Sequence, residues 1–282
     1  MAESIDMNGQ VALVTGASRG LGRGFAQAIA GAGAAVALVA RSESGLKETA
    51  VAIEAAGGRA ITLACDVVDQ DSVKATVKEA ERQLGPLDVL INNAGVAGPT
   101  GPDWEIDPAE WWRVLEVNVL GQFYFAHAAM PGMVARGHGR VVNVSSGAAG
   151  FASPGYSGYC TSKAALTLWT ECLAGSASPH GVSVMAYHPG TVETDMTVYT
   201  AARPDIDVPN PIVEGVRDLI SSGKADSMED AVASLLRVAA GLFDALPGRQ
   251  IGVNDLPEEL LPKAAEIEER GLYAVRVNEL VK

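Results

Sequence analysis

Cysteine is scarce in this chain and forms no pair that a disulfide or zinc framework would use. Cys65, Cys160 and Cys172 are odd in number and lack a C-x-x-C spacing, so they read as free thiols in a reducing compartment. Positive charge is also in short supply, with 21 Lys and Arg against 34 Asp and Glu and a formal net charge of −13. Most of such a surface repels a duplex or an anionic membrane, so neither is an expected partner. Any bound phosphate needs a local positive pocket. Long apolar runs are missing: residues 1–8 are polar and the run at 11–14 is too short for a signal peptide or a membrane span, which makes the cytoplasm the expected location. The four histidines, His127, His138, His180 and His188, show no i,i+4 pair and no neighbouring cysteine cluster. No metal site is expected, and surface or loop positions are their default. No G-x-S-x-G elbow surrounds Ser145 or Ser146, which argues against a hydrolase triad.

What the chain does have is an alternating rhythm. At 282 residues and 48% hydrophobic it can bury a substantial core, and no linker or solenoid repeat divides it. The expected fold is one α/β domain over 1–282 with a doubly wound parallel sheet of about seven strands. Short apolar runs predict strands at 11–14, 35–40, 60–65, 87–91, 141–145 and 182–186. Amphipathic stretches predict helices at 21–32, 43–56, 70–84, 108–135 and 157–178. Gly57-Gly58, Gly85-Pro86, the 137–139 stretch and the 179–181 stretch punctuate the joins. After Pro189-Gly190 a polar, proline-bearing stretch at 195–211 leads into helical patterns at 212–222 and 228–246, so 195–247 reads as a lid over the substrate end. A short strand at 250–253 and a tail at 255–282, helical near 258–269, complete the pattern.

The loop Thr15-Gly16-Ala17-Ser18-Arg19-Gly20-Leu21-Gly22 follows the first strand directly and opens the first helix. Its glycines permit a tight turn and let backbone N–H groups and the helix N-terminus approach a pyrophosphate. Its G-x-x-x-G-x-G spacing differs from the common G-x-G-x-x-G fingerprint. Four further motifs stand in order: Asn92-Asn93-Ala94-Gly95 after the fourth strand, Asn118 in the helix that follows, and Ser146 placed 13 residues before Tyr159 in Tyr159-Cys160-Thr161-Ser162-Lys163. Pro189-Gly190 with Thr194 comes last. Over about residues 9–195 this set resembles the standard, single-domain branch of the short-chain dehydrogenase/reductase family.

The resemblance implies an oxidoreductase that moves a hydride between a nicotinamide and a small-molecule carbonyl or secondary alcohol. Catalytic positions would be Asn118, Ser146, Tyr159 and Lys163. The implied cofactor contacts are Gly16, Ser18, Arg19, Gly20, Leu21, Gly22, Arg41, Asp66, Val67, Asn93, Ala94, Gly95, Tyr159, Lys163, Pro189, Gly190, Val192 and Thr194. An acid after the second strand would bond an adenosine ribose and select NAD(H). The chain has Arg41 there instead, and Arg41 with Arg19 could flank a 2′-phosphate. NADP(H) is therefore the expected preference, with NAD(H) possible. Asp66 resembles the family's adenine-contacting acid, a loop cap being the alternative reading.

Tyr159 and Lys163 lie four apart, so a helix projects both from one face. A phenol is a poor base at neutral pH, and a neighbouring ammonium is expected to lower its pKa. Tyr159 would protonate an oxygen steadied by Ser146 in reduction and take the proton back in oxidation. Asn118 resembles the residue whose backbone holds a proton-relay water, a structural role in the helix being equally open. Tyr156 has Cys160 four residues on and reads as pocket mouth, and Trp104, Trp111 and Trp112 as packing and rim residues. Small residues Ala164, Ala165, Ala174, Gly175 and Ala177 in the Tyr159 helix suggest a close helix contact in a homodimer or homotetramer. Residues after Val253 depart from the family pattern, and the tail either covers a neighbouring subunit or the sheet edge. Two other functions compete: a tyrosine- and lysine-dependent epimerase or dehydratase, and a non-catalytic cofactor sensor on the same fold.

Overall fold

The computed structural model describes residues 5–204 and 206–276; residues 1–4, Asp205 in the expected lid and 277–282 of the expected tail lie outside the described residues. Strands β1 (Val11–Thr15), β2 (Ala35–Ala40), β3 (Arg59–Ala64), β4 (Val89–Asn92), β5 (Gly139–Val144), β6 (Val182–His188) and β7 (Gln250–Gly252) form one sheet. Its order is β3-β2-β1-β4-β5-β6-β7, and every pairing is parallel. The order reverses between β1 and β4, which opens a crevice at their carboxyl ends where such sheets bind ligands. This is the Rossmann-type architecture expected.

Strands β1, β2, β4 and β5 are buried along almost their whole length because helices cover both of their faces. On one face Val14, Leu38, Ile91, Val144 and Tyr187 pack with Phe25 and Ile29 of α1 (Gly20–Gly31), Leu46 of α2 (Glu43–Ala55), and Leu235 of α9 (Met228–Ala239). On the other, Leu13, Val39, Leu90 and Val184 pack with Val73 and Val77 of α3 (Gln70–Leu84), Phe125 of α5 (Gly121–Arg136), and Ala174 of α6 (Ser157–Ala177). Strand alternation thus feeds two cores, one on each side of the sheet.

Helix starts follow local chemistry. Ser42, Asp69 and Asp107 each accept a backbone N–H at the head of α2, α3 and α4 (Pro108–Leu115), and Pro108 follows Asp107. Three helix expectations need correction. The helix expected over 108–135 is interrupted by a π-helical turn at Glu116–Leu120 that separates α4 from α5, and Asn118 sits in it. The stretch expected as polar loop after Thr194 contains α7 (Asp195–Ala201), started by a capping box between Thr194 and Thr197. The helix expected to reach 246 stops at Ala239, because Gly241 takes a left-handed φ of 90° and a Cβ there would strike the Arg140 guanidinium. Helix α8 (Pro211–Ser221) is capped by Asn210.

The tail packs on its own chain. Helices α10 (Pro257–Leu260) and α11 (Ala264–Glu269) bury Leu260 and Ile267 in the first core, and Pro262 lies in the 3₁₀ turn between them. The Gln250 N–H donates to the Tyr273 carbonyl at 2.8 Å, so the described tail covers the free edge of β7.

Candidate active site

The cofactor half is built where β1 and β4 end side by side. The Thr15 hydroxyl accepts the Asn93 N–H at 2.9 Å and the Ala94 N–H at 3.0 Å, and Asn93 Nδ2 donates to the Thr15 carbonyl at 2.9 Å. The glycine loop and the Asn93–Gly95 segment are therefore stitched into one surface. Gly16 turns with a φ of 68°, and a Cβ at Gly22 would stand 2.3 Å from the Gly16 carbonyl oxygen and 2.5 Å from Asn93 Nδ2. Only glycine fits there. Helix α1 has no side-chain cap and no acid in its first turn, leaving its first N–H groups free for an anion. These features fit a dinucleotide pyrophosphate.

Leu21 packs toward Val192 and Ala231, and a Cβ at Gly20 would stand 3.8 Å from the Thr194 methyl, so the loop after β6 faces the glycine loop. Arg19 joins the two through a 2.8 Å ion pair with Asp195 at the head of α7. Its guanidinium was expected to flank a phosphate and here is engaged across the cleft mouth. Arg41 is exposed at the end of β2 and has no ion pair among the described residues. The Ser18 carbonyl accepts from Arg23 at 2.6 Å. Asp66 caps its own loop, one carboxylate oxygen accepting the Val68 N–H at 3.3 Å, while the other pairs with Arg113 of α4 at 3.4 Å. Val67 is buried against Gly121.

The second half gathers at the end of β5. Ser145 is buried and shares a 2.7 Å hydrogen bond with Thr167, which makes it structural. Ser146 stands half-buried beyond the strand, its hydroxyl accepting the Ala148 N–H at 3.2 Å, and it lies near enough to Tyr159 to act on the phenol. Lys163, one turn further along α6, is 4% exposed. Its Nζ donates to the Val144 carbonyl at 2.8 Å and lies 5.7 Å from the Tyr159 ring centre. Burial brings the Lys163 ammonium down from 10.5 to about 8. Tyr159 departs from expectation: burial raises its pKa, and the opposing influence comes from Ser146 rather than from the lysine. The reason is that the ammonium directs a proton to the Val144 carbonyl, and both groups are desolvated.

Asn118 is fully buried, its carboxamide accepting the Val96 N–H at 2.8 Å and donating to the Val96 carbonyl and to Ser162, each at 3.0 Å. Its side chain thus fixes the strand-β4 loop. A Cβ at Gly95 would stand 3.2 Å from Asn118 Oδ1 and 3.8 Å from Lys163 Nζ, so Gly95 joins the cofactor half to the catalytic set.

Several features escaped the sequence. Tyr156 is buried rather than at the pocket mouth; its ring stacks on Tyr159 with centres 5.1 Å apart, and its hydroxyl meets Thr200 of α7 at 3.3 Å. Arg203 donates to the Gly98 carbonyl at 3.0 Å, and Asn210 donates to the Gly155 carbonyl at 3.2 Å, which holds the α7–α8 segment down over the site. Asp226 accepts the Thr191 N–H at 2.7 Å and sits against Gly190. His188 is not a surface or loop histidine: it ends β6, is half-buried, and its Nδ1 accepts N–H groups from Gly147 and Gly190. Among the described residues no group of three His, Cys, Asp or Glu could hold a metal, and no helix is long and apolar enough to cross a membrane. Cys65, Cys160 and Cys172 are free.

A glycine-rich turn stitched to the end of β4, with Ser146, Tyr159 and Lys163 gathered beside it at the carboxyl edge of a parallel sheet, has the form of an oxidoreductase site. The family model for short chain dehydrogenase matches residues 10–205. The chain is similar to a short chain dehydrogenase of Pseudocercospora fijiensis (strain CIRAD86), 36% identical over 274 residues, which cover 94% of this chain and 85% of that protein. Among solved structures it is similar to a putative short-chain alcohol dehydrogenase from Sinorhizobium meliloti 1021, with a TM-score of 0.78, 32% identity, and 89% and 96% of the two chains covered. It is also similar to a gluconate 5-dehydrogenase from Burkholderia cenocepacia J2315 in complex with NADP and tartrate, with a TM-score of 0.78, 26% identity, and 88% and 95% covered. The chain belongs to the short-chain dehydrogenase family, and its general chemistry is hydride transfer involving alcohols or ketones.

Proposed function

We propose that the chain reduces a small-molecule carbonyl, or oxidises the matching secondary alcohol, using NADP(H) in preference to NAD(H), with Tyr159 as general acid and base. The observation that carries this reading is the gathering of Ser146, Tyr159 and Lys163 at the end of β5, where Ser146 opposes the effect of burial on the Tyr159 phenol and the buried Lys163 ammonium stands 5.7 Å from its ring centre. The bound nicotinamide supplies or accepts the hydride. Ser146 and Tyr159 present two adjacent hydroxyls to one substrate oxygen. Burial keeps the phenol protonated at neutral pH, so Tyr159 enters reduction as a proton donor. Lys163, with a pKa of about 8, is largely protonated at neutral pH and stabilises the phenolate left behind. Asn118, its side chain fixed to Val96, offers its backbone to the relay water.

Gly16, Gly20, Leu21 and Gly22 would hold the pyrophosphate, Asn93, Ala94 and Gly95 the adenosine ribose, and Asp66 and Val67 the adenine. Pro189, Gly190, Val192 and Thr194 line the nicotinamide end. Exposed Arg41 and Ser18 would hold the 2′-phosphate, and Arg19 would join them on leaving Asp195. The absence of an acid after β2 supports this preference, as does the NADP held by the related Burkholderia enzyme. The segment 195–247 acts as the substrate lid.

The assembly is a homodimer or homotetramer. Ala174 and Ala177 face the chain's own core, so of the small residues on α6 only Ala164, Ala165 and Gly175 are left to meet another subunit. Support comes instead from exposed Leu120, Phe123 and Leu168, with Phe123 packed 5.9 Å from Trp169 across α5 and α6. The acidic charge and free thiols favour the cytoplasm.

A panel of ketones and secondary alcohols, followed by the absorbance of reduced nicotinamide with both cofactors, tests the reading. Tyr159→Phe is expected to lose about 10²–10⁴-fold in turnover while nucleotide affinity is retained. Retained turnover sinks the proton-transfer role, and equal or better efficiency with NADH sinks the cofactor preference.

A further inference from the structure

We propose that His188 is a positioning residue whose single unprotonated ring nitrogen ties the Ser146 segment to the Pro189-Gly190 segment, so that protonating the ring releases both and shuts the reaction down in mild acid. The proposal rests on the catalytic reading above. His188 is the last residue of β6, and its Nδ1 accepts the Gly147 N–H at 3.1 Å and the Gly190 N–H at 3.3 Å. Gly147 directly follows Ser146, which lies beside Tyr159. Gly190 opens the turn that carries Val192 and Thr194 toward the glycine loop. One lone pair therefore sets the spacing between the substrate-oxygen end and the nicotinamide end of the cleft.

The chemistry fixes the protonation state. A nitrogen that accepts two N–H groups has no proton of its own, so the ring is neutral and carries its proton on Nε2. An imidazolium would set an Nδ1–H against two donors. The ring lies close against Gly147, where an added Cβ would stand 3.1 Å from Nε2 and 3.4 Å from Cε1. Burial lowers the His188 pKa, and Asp226 opposes the shift without reversing it. The titratable groups on the elements around the ring are few. Asp226 comes from the α8–α9 connection and its Oδ2 accepts the Thr191 N–H. Asp255 accepts the N–H of Gly252, the β7 residue in register with His188. Tyr159 lies on the β5 side, beside Ser146.

Two measurements test this. Long-range nitrogen–proton NMR of the whole protein, with the His188 signals assigned by their loss in His188→Asn, is expected to show a neutral ring protonated on Nε2 at about pH 7. A proton on Nδ1 overturns the proposal. The second is the pH profile for reduction, using the best carbonyl from the panel, a direction in which Tyr159 must stay protonated and creates no acid limb of its own. Wild-type kcat is expected to fall on moving from about pH 7 to about pH 5. His188→Asn places an untitratable amide oxygen where Nδ1 sits, so it is expected to keep kcat near neutrality within about threefold and to flatten the acid limb. His188→Leu leaves two N–H groups unpaired and is expected to lose roughly 10–100-fold in kcat at every pH, with KM and nucleotide Kd within a few fold. An acid limb that survives in His188→Asn, or a His188→Leu enzyme equal to wild type, overturns the proposal. Tyr159→Phe run alongside separates the two ideas: its retained turnover defeats the catalytic reading, whereas an inactive Tyr159→Phe with an unchanged His188→Asn profile defeats this one alone.

Discussion

Replacing Lys163 with methionine should make the protein more stable at neutral pH while abolishing turnover. Lys163 is 4% exposed, and burial moves its pKa from 10.5 to about 8. At roughly 1.4 kcal/mol per unit, holding that ammonium in the core near neutral pH costs about 3 kcal/mol. Methionine has a similar length and no charge, so it removes the penalty, but it gives up the bond to the Val144 carbonyl, worth about 1–2 kcal/mol. The expected net gain is about 1–2 kcal/mol, or roughly 2–3 °C in Tm for a domain of this size. The sign with pH follows from proton counts. Between about 8 and 10.5 the unfolded lysine holds more proton than the folded one, so wild-type stability rises with pH and the gap to the variant closes. Above the ordinary phenol range the opposite term takes over, because burial raises Tyr156, Tyr159 and Tyr187 and the unfolded chain ionises first. Thermal melts at about pH 7 and about pH 9.5 are therefore the assay. A variant less stable than wild type near neutrality, or a gap that does not change with pH, refutes the reasoning.

Gly22→Ala drives a Cβ to within 2.3 Å of the Gly16 carbonyl oxygen, and backbone there cannot yield cheaply. A loss of about 1–3 kcal/mol in thermal stability is expected, with nucleotide affinity weakened at least about tenfold in a fluorescence titration. Unchanged affinity would mean that this loop is not the cradle. Charging the exposed apolar face with Phe123→Asp and Leu168→Asp together is expected to yield a monomer in light scattering at micromolar concentration, with the melting temperature little changed. A wild-type protein already monomeric under those conditions removes the oligomer from the proposal.

The strand runs and the glycine, asparagine, serine, tyrosine and lysine motifs could be read directly, because buried parallel strands are continuous apolar segments and the motifs sit at their ends. The π-helical turn around Asn118 could not, since the apolar spacing of 108–135 carries no mark of one extra residue. Helix α7 hid behind Thr194 and Thr197, polar residues that read as loop until seen to cap each other. The Arg113–Asp66 pair spans 47 positions and the Gly147–His188 bond 41, so no local pattern announces either. For His188 the one hint was its place directly before Pro189-Gly190. Tyr156 was misplaced because its spacing to Cys160 says nothing about the lid that covers it.

The stitching of Thr15 to Asn93 and Ala94 divides the labour of the molecule unevenly. One bank of the cleft is welded together by main-chain and hydroxyl contacts before any guest arrives, so seating a nucleotide there demands little ordering. The opposite bank, from Asp195 through the start of α9, is moored by a handful of side chains such as Arg19, Arg203, Asn210 and Asp226. New substrate tastes can therefore be grafted onto the second bank with the first left untouched, provided those moorings are kept.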